Sequence, residues 1–116
     1  MAHNRTHRIQ AVGFNGFPAG MSDDPALYAD RATKYARIIH AEMNALLHMT
    51  EPVTADTTLY TWPLPPCDRC MVHMIQAGIR RVVAKTPTAA LQERWEESYA
   101  RSAAYLAEVG GHLLLL

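Results

Sequence analysis

Apolar positions along this chain of 116 residues fall in short clusters with two different spacings. Arg8 to Phe14 holds the β-formers Ile9 and Val12 and predicts a strand, ended by Asn15-Gly16 and the turn formers Pro18 and Gly20. Before it, Met1 to Arg5 reads as a short polar lead. After it, Met21 to Lys34, with Asp23, Asp24 and Pro25, reads as a polar loop, of a length usually kept for a functional segment or a lid. Ile39, Met43, Leu46 and Leu47 share one side of a helix over about Ile39 to Met49, stopped at Thr50-Glu51-Pro52. Thr57 to Thr61 predicts a strand. The prolines between Trp62 and Pro66 forbid a ladder or a helix there. A helix follows from about Cys67 to Ala77, with Gly78 as its C-cap, then a strand over Ile79 to Lys85. The longest helix runs from Leu91 to Val109, with Leu91, Trp95, Tyr99 and Leu106 near one face and Gly110-Gly111 beyond it. His112 to Leu116 closes the chain as an apolar strand. Strands alternating with helices argue an α/β layer with crossover connections and a partly parallel sheet.

Composition narrows the class. With 49% hydrophobic and 19% charged residues the chain reads as globular and not disordered. Its length allows a single domain over residues 1–116 with one core. Eleven Lys/Arg balance eleven Asp/Glu, so a nucleic-acid partner is disfavoured, whereas a small anionic ligand needs only one local site. The run Leu113 to Leu116 is far below a membrane span, and no apolar signal segment is visible at the start. Cys67 and Cys70 stand too close together to staple a fold, which favours metal or redox chemistry in a reducing cytoplasm.

The chemistry concentrates in His40-Ala41-Glu42 and Pro66-Cys67-Asp68-Arg69-Cys70. Residues two apart inside a helix point away from each other. His40 and Glu42 therefore serve one site only if they lie in a first turn with the site off its end. Pro66 gives the second helix the same arrangement, so both N-termini would aim at one point. Unpaired N–H groups and the positive end of the dipole favour thiolate there, the form that binds metal. One imidazole and two thiolates make three ligands for Zn2+ and leave a fourth position for water, the catalytic pattern. Such an ion lowers the pKa of its water toward about 7. Glu42, not needed as a ligand, can then carry protons to a ring nitrogen and to a leaving ammonia. H-x-E with P-C-x-x-C matches the known signature of zinc deaminases.

At these residues the sequence resembles the cytidine deaminase-like superfamily, and within it the deoxycytidylate deaminases. Gly13 to Gly20 (G-F-N-G-F-P-A-G), Lys34-Tyr35, His40 to Ala45 (H-A-E-M-N-A), Leu59-Tyr60, Pro66 to Cys70, Ala77 to Val83, Trp95 to Ser98 and Glu108 to Gly110 all look like segments of that family. The resemblance implies a three-layer fold, a mixed sheet with helices on both faces, here shortened at the N-terminus by a helix and a strand. It implies His40, Cys67 and Cys70 as zinc ligands, Glu42 as proton shuttle, and conversion of dCMP to dUMP and ammonia. It also implies substrate contacts at Asn15 and Gly16, and relatives that form homo-oligomers. Asn offers a donor and an acceptor and Gly admits close backbone approach, although the same pair makes a plain turn. The Ala41 N–H is a candidate for the pyrimidine carbonyl. Trp62 is a candidate pocket wall, with a core or interface role as its alternative. The absence of a cysteine beyond this pair predicts no second thiolate-ligated zinc.

Other residues carry weaker signals. His73, a turn beyond Cys70, reads as a surface or core-edge histidine. Arg69 could touch a phosphate or simply sit exposed. The rival functions are a deaminase acting on bases of tRNA or single-stranded DNA, and a non-catalytic zinc- and nucleotide-binding module. The first lacks a basic stripe. The second follows from the shortened start.

Overall fold

A computed structural model describes residues 1–116. Its sheet has the order β1 (Ala2–His3), β2 (Thr57–Thr61), β3 (Arg81–Ala84) and β4 (His112–Leu115). β1 runs antiparallel to β2, and the other neighbours are parallel, with Leu59 beside Val82 and Val82 beside Leu113. The helices are α1 (Pro25–Ala29), α2 (Arg31–Arg37), α3 (Ala41–Leu47), α4 (Asp68–Ala77) and α5 (Ala89–Glu108). Parallel neighbours cannot be joined by a hairpin. Here α4 makes the crossover from β2 to β3, and α5 the one from β3 to β4. This is the mixed α/β architecture expected from the alternation of strands and helices.

The core lies between sheet and helices. Leu59 and Val82 from the strands meet Met71 and Met74 of α4, Leu106 of α5 and Ala45 of α3. Met71 and Met74 sit one turn apart, so a single stripe of α4 faces inward. Unbranched thioether side chains suit a seam between a helix and a twisted sheet. The expected Gly78 cap is present, and α5 starts two residues earlier than expected, at a cap the sequence reading did not name. Gly78 turns α4 off in the left-handed region at φ 112°, and the Thr88 hydroxyl accepts from Leu91 N–H to start α5.

Two expectations fail near the N-terminus. No strand forms over Arg8 to Phe14. That stretch instead folds back on Met1 to His3, with Gln10 N–H donating to the Met1 carbonyl at 2.9 Å and one bridge between Ala2 and Ile9. Ala2 and His3 then take the place beside β2, and Val12 and Phe14 are left exposed. The first residues are accordingly no polar lead, because Met1 is buried in the core. Nor is Met21 to Lys34 a loop throughout. Asp24 caps α1 by accepting from Ala26 N–H, with Pro25 at the first helical position, and Asp30 leads into α2. Asp and Pro, taken as loop formers, act here as helix-start residues. Tyr28 of α1 stacks on Phe17 with ring centres 4.0 Å apart, which fastens this helical segment to the loop before it. No helix is long and apolar enough to cross a membrane.

Gly13 sets how closely the N-terminal segment approaches α3. A Cβ there would collide with the Ala41 carbonyl oxygen and the Ala45 nitrogen, both backbone atoms of α3. Gly13→Ala must push the start of α3 away and is expected to cost about 1–3 kcal/mol of stability, read as a lower urea midpoint.

Candidate active site

α3 and α4 each begin at a residue of the expected metal set. His40 is the N-cap of α3 and Cys67 the N-cap of α4, and both keep extended backbone angles. Cys70 follows in the first turn of α4, where its N–H donates to the Cys67 sulfur at 3.4 Å. A cap residue points its side chain off the helix end, so the two starts converge. His40 Nδ1 lies 3.4 Å from Cys67 Sγ and 3.3 Å from Cys70 Sγ. All three donor atoms fall within 4.8 Å of one another. Tetrahedral zinc with its usual bond lengths holds a nitrogen and a sulfur roughly 3.5 Å apart. The donor types, their spacing and their partial burial fit zinc, and a set of three leaves a fourth position for another ligand.

The electrostatics favour that chemistry. The Cys70 thiol donates to Cys67, and this bond, helped by the His40 ring, lowers the Cys67 pKa to about 4 despite burial. Cys70, as the donor, is pushed up. His40 is raised by its bond to Cys67. Glu42 lies in the first turn of α3 with its side chain 11% exposed, and an oxygen of its carboxyl is 3.9 Å from His40 Nδ1. Burial pushes its pKa above the ordinary carboxylate range. A carboxyl so placed can hold a proton nearer neutrality than a solvated one.

His40, Glu42 and Cys67 open on a cavity of about 320 Å³, walled by Asn15, Trp62 and residues of α2 and α5. Asn15 Oδ1 accepts from Ala41 N–H at 2.7 Å. The Ala41 N–H, the candidate for a pyrimidine carbonyl, therefore meets the Asn15 side chain at the cavity wall. The same bond fixes Asn15 with its Nδ2 group left to donate elsewhere. Gly16 lies outside this cavity. It exchanges backbone hydrogen bonds with Ile39, at 3.1 and 2.8 Å, and so holds the loop against the residue before His40. Trp62 is 75% exposed at the cavity wall, neither core nor stacked on a ring. His73 turns its Nδ1 to the Arg69 carbonyl at 2.7 Å and is no member of the donor cluster, and Arg69 lies outside the cavity.

α5 supplies parts of the site that the sequence reading had not assigned to it. Ser98 Oγ donates to Asp68 Oδ1 at 2.9 Å and accepts from Asp68 N–H at 3.0 Å, and Arg101 Nε donates to the other carboxylate oxygen at 2.8 Å. Arg101 thereby holds the Asp68 carboxyl below its usual range. Ser102 Oγ donates to the Pro66 carbonyl at 2.8 Å. Together these bonds tie the turn that carries Cys67 to α5. Ser98→Ala strips Asp68 of two hydrogen bonds and is expected to cost about 1–3 kcal/mol, checked by urea unfolding. Tyr99 lines the cavity with its hydroxyl buried and unpartnered. Burial, then the Cys67 and Glu42 charges, push its pKa up to about 12.

Comparison with known proteins agrees with this geometry. Residues 1–86 match the family model described as the cytidine and deoxycytidylate deaminase zinc-binding region. The chain belongs to this family. The human deoxycytidylate deaminase is 35% identical over 85 residues, covering 69% of this chain and 47% of that protein. An uncharacterized deaminase from the luxG 3′ region of Aliivibrio fischeri is 35% identical over 104 residues, covering 90% of this chain and 69% of its own. ComE operon protein 2 of Bacillus subtilis is 39% identical over 82 residues, covering 67% and 42%. The chain spans about half the length of the deoxycytidylate deaminases it matches. As a member of the zinc-binding deaminase family, it brings together at two helix starts the one imidazole and two sulfurs that can hold the ion.

Proposed function

We propose that this chain catalyses hydrolytic deamination of a cytosine nucleotide, converting deoxycytidylate and water to deoxyuridylate and ammonia. One observation carries the reading: a largely buried carboxyl, Glu42, beside a His/Cys/Cys donor set of which His40 and Cys67 open on a cavity. The names of the mammalian relatives point the same way.

His40, Cys67 and Cys70 would hold the zinc. When bound, the ion acidifies a water so that a nucleophile is available near neutral pH. Glu42 takes the water's proton and delivers it to the ring nitrogen next to the reacting carbon. A carbon–oxygen bond forms at that carbon and its bond to the amino nitrogen breaks. Glu42 then takes the proton of the new hydroxyl and passes it to the departing amine, so that ammonia leaves and a carbonyl remains at the carbon. The raised pKa of Glu42 matches a group that must both accept and release a proton. Asn15 donates from Nδ2 to the substrate and holds the Ala41 end of α3 in place. Gly16 acts through the Ile39 pairing, and Trp62 walls the pocket.

We read residues 1–116 as one deaminase domain of a cytoplasmic homo-oligomer. Two unpaired thiols and the exposed Phe14, Trp62 and Leu116 support that reading. The deciding experiment is ammonia release from deoxycytidylate by the zinc-loaded chain, followed together with the loss of cytosine absorbance. Turnover that stops on chelation and returns with zinc is expected. A zinc-loaded protein that binds the nucleotide and releases no ammonia is a binding module, and the proposal fails.

A further inference from the structure

Three buried side-chain atoms of this protein have no hydrogen-bond partner: Gln10 Oε1, Thr61 Oγ1 and the Tyr99 hydroxyl oxygen. Of the three residues, only Tyr99 lines the cavity on which His40, Glu42 and Cys67 open. It is 8% exposed. A buried hydroxyl without a partner forfeits the bonds it makes in water, and phenylalanine would fill the same space without that loss. The chain keeps the destabilising group on the one wall where an entering molecule can reach it.

α5 fixes where this hydroxyl lies. Leu91, Trp95 and Tyr99 recur every four residues and all line the cavity, so one stripe of the helix faces it. Tyr99 comes about 12 Å further along the axis than Leu91. That end is the donor-cluster end. Ser98, on one side of Tyr99, holds Asp68, and Ser102, on the other, holds Pro66, the two residues that flank Cys67. Burial, then the charges of Cys67 and Glu42, push the Tyr99 pKa up to about 12, so the phenol keeps its proton. A neutral phenol donates one hydrogen bond and accepts another. Neither Glu42 nor Cys67 uses that capacity.

We propose that the Tyr99 hydroxyl hydrogen-bonds the exocyclic group on the reacting carbon of the ligand's ring, accepting from an amino group and donating to an oxo oxygen. For the identity of the ring this rests on the deaminase reading above. A ring with an apolar substituent at that carbon leaves the hydroxyl bare, and the cavity discriminates against it for that reason.

Tyr99→Phe removes the oxygen and keeps the aromatic ring. In thermal melts of the zinc-loaded full chain without ligand, the variant is expected to melt no lower than the wild type, because the deleted atom has no partner to lose. In calorimetry with deoxyuridylate, the unreactive product, binding is expected to weaken about tenfold. With 4-thiodeoxyuridylate, whose sulfur is a weak acceptor at the same carbon, the loss is expected to stay below about threefold. A structural role would give the opposite pattern, a lower melt with affinity unchanged. A variant that melts below the wild type, a deoxyuridylate affinity within twofold of the wild type, or equal losses for the oxo and thio ligands each overturn the contact. If the wild type releases ammonia from deoxycytidylate and the variant binds deoxyuridylate undiminished, the contact fails and the deaminase reading stands. If the variant weakens as expected and the wild type releases no ammonia, the deaminase reading falls and the contact stands. A zinc-loaded wild type that binds neither nucleotide overturns both.

Discussion

Glu42→Gln is expected to bind zinc as the wild type does and to release ammonia from deoxycytidylate about 10²–10⁴-fold more slowly, the range a positioned general acid–base contributes. The amide keeps the shape of the carboxyl but cannot carry a proton. Its position argues for a clean result, because the side chain lies beside the donor cluster and is not one of its members. Removing a buried carboxyl whose charge is costly also predicts a melting temperature no lower than that of the wild type. Zinc content by mass spectrometry, ammonia release and a thermal melt together check it. A near wild-type rate would exclude Glu42 as the proton carrier.

The second large effect belongs to the metal. Free zinc at about 1,000 times its dissociation constant adds about 4 kcal/mol to the folded state. In a chain of this size each kcal/mol moves the melting temperature by about 4 °C, so chelation is expected to lower it by about 15 °C. His40→Ala should melt where the chelated wild type melts and gain nothing from added zinc. Its side chain is 39% exposed, so truncation opens no core cavity and isolates the loss of the ligand. Fluorimetric melts with and without zinc test this. A zinc-dependent rise in the variant equal to that of the wild type would show that the ion is held elsewhere.

The donor set was legible in the sequence because its geometry is local. Pro66 and the two cysteines define one helix start and His40 with Glu42 another, and caps are written in short words. The strand T-T-L-Y-T was legible from β-propensity, and the strand expected over Ile79 to Lys85 forms at Arg81–Ala84 within it. The N-terminal segment was not. Whether Ala2–His3 or Arg8–Phe14 lies beside β2 is a contest between two weak strand formers, settled by tertiary pairing. The α1–α2 segment was hidden because Asp and Pro favour loops and helix starts alike. Ser98 and Ser102 escaped because a search for apolar stripes counts serine as surface. Here they are buried and matched to Asp68 and Pro66, contacts between residues some thirty or more positions apart. The Ala41–Asn15 bond escaped for the same reason.

α5 is a rod of 20 residues with one stretch at the cavity mouth and the next bonded to the turn that carries Cys67. A tilt that widens the entrance also drags on the sulfur, because a continuous helix does not bend between Arg94 and Ser98 without losing its own ladder. A displacement of α5 is therefore expected to alter the cavity entrance and the Cys67 turn together. Variants selected to admit a bulkier molecule should leak metal in proportion, unless the serine hinge pins are reinforced at the same time.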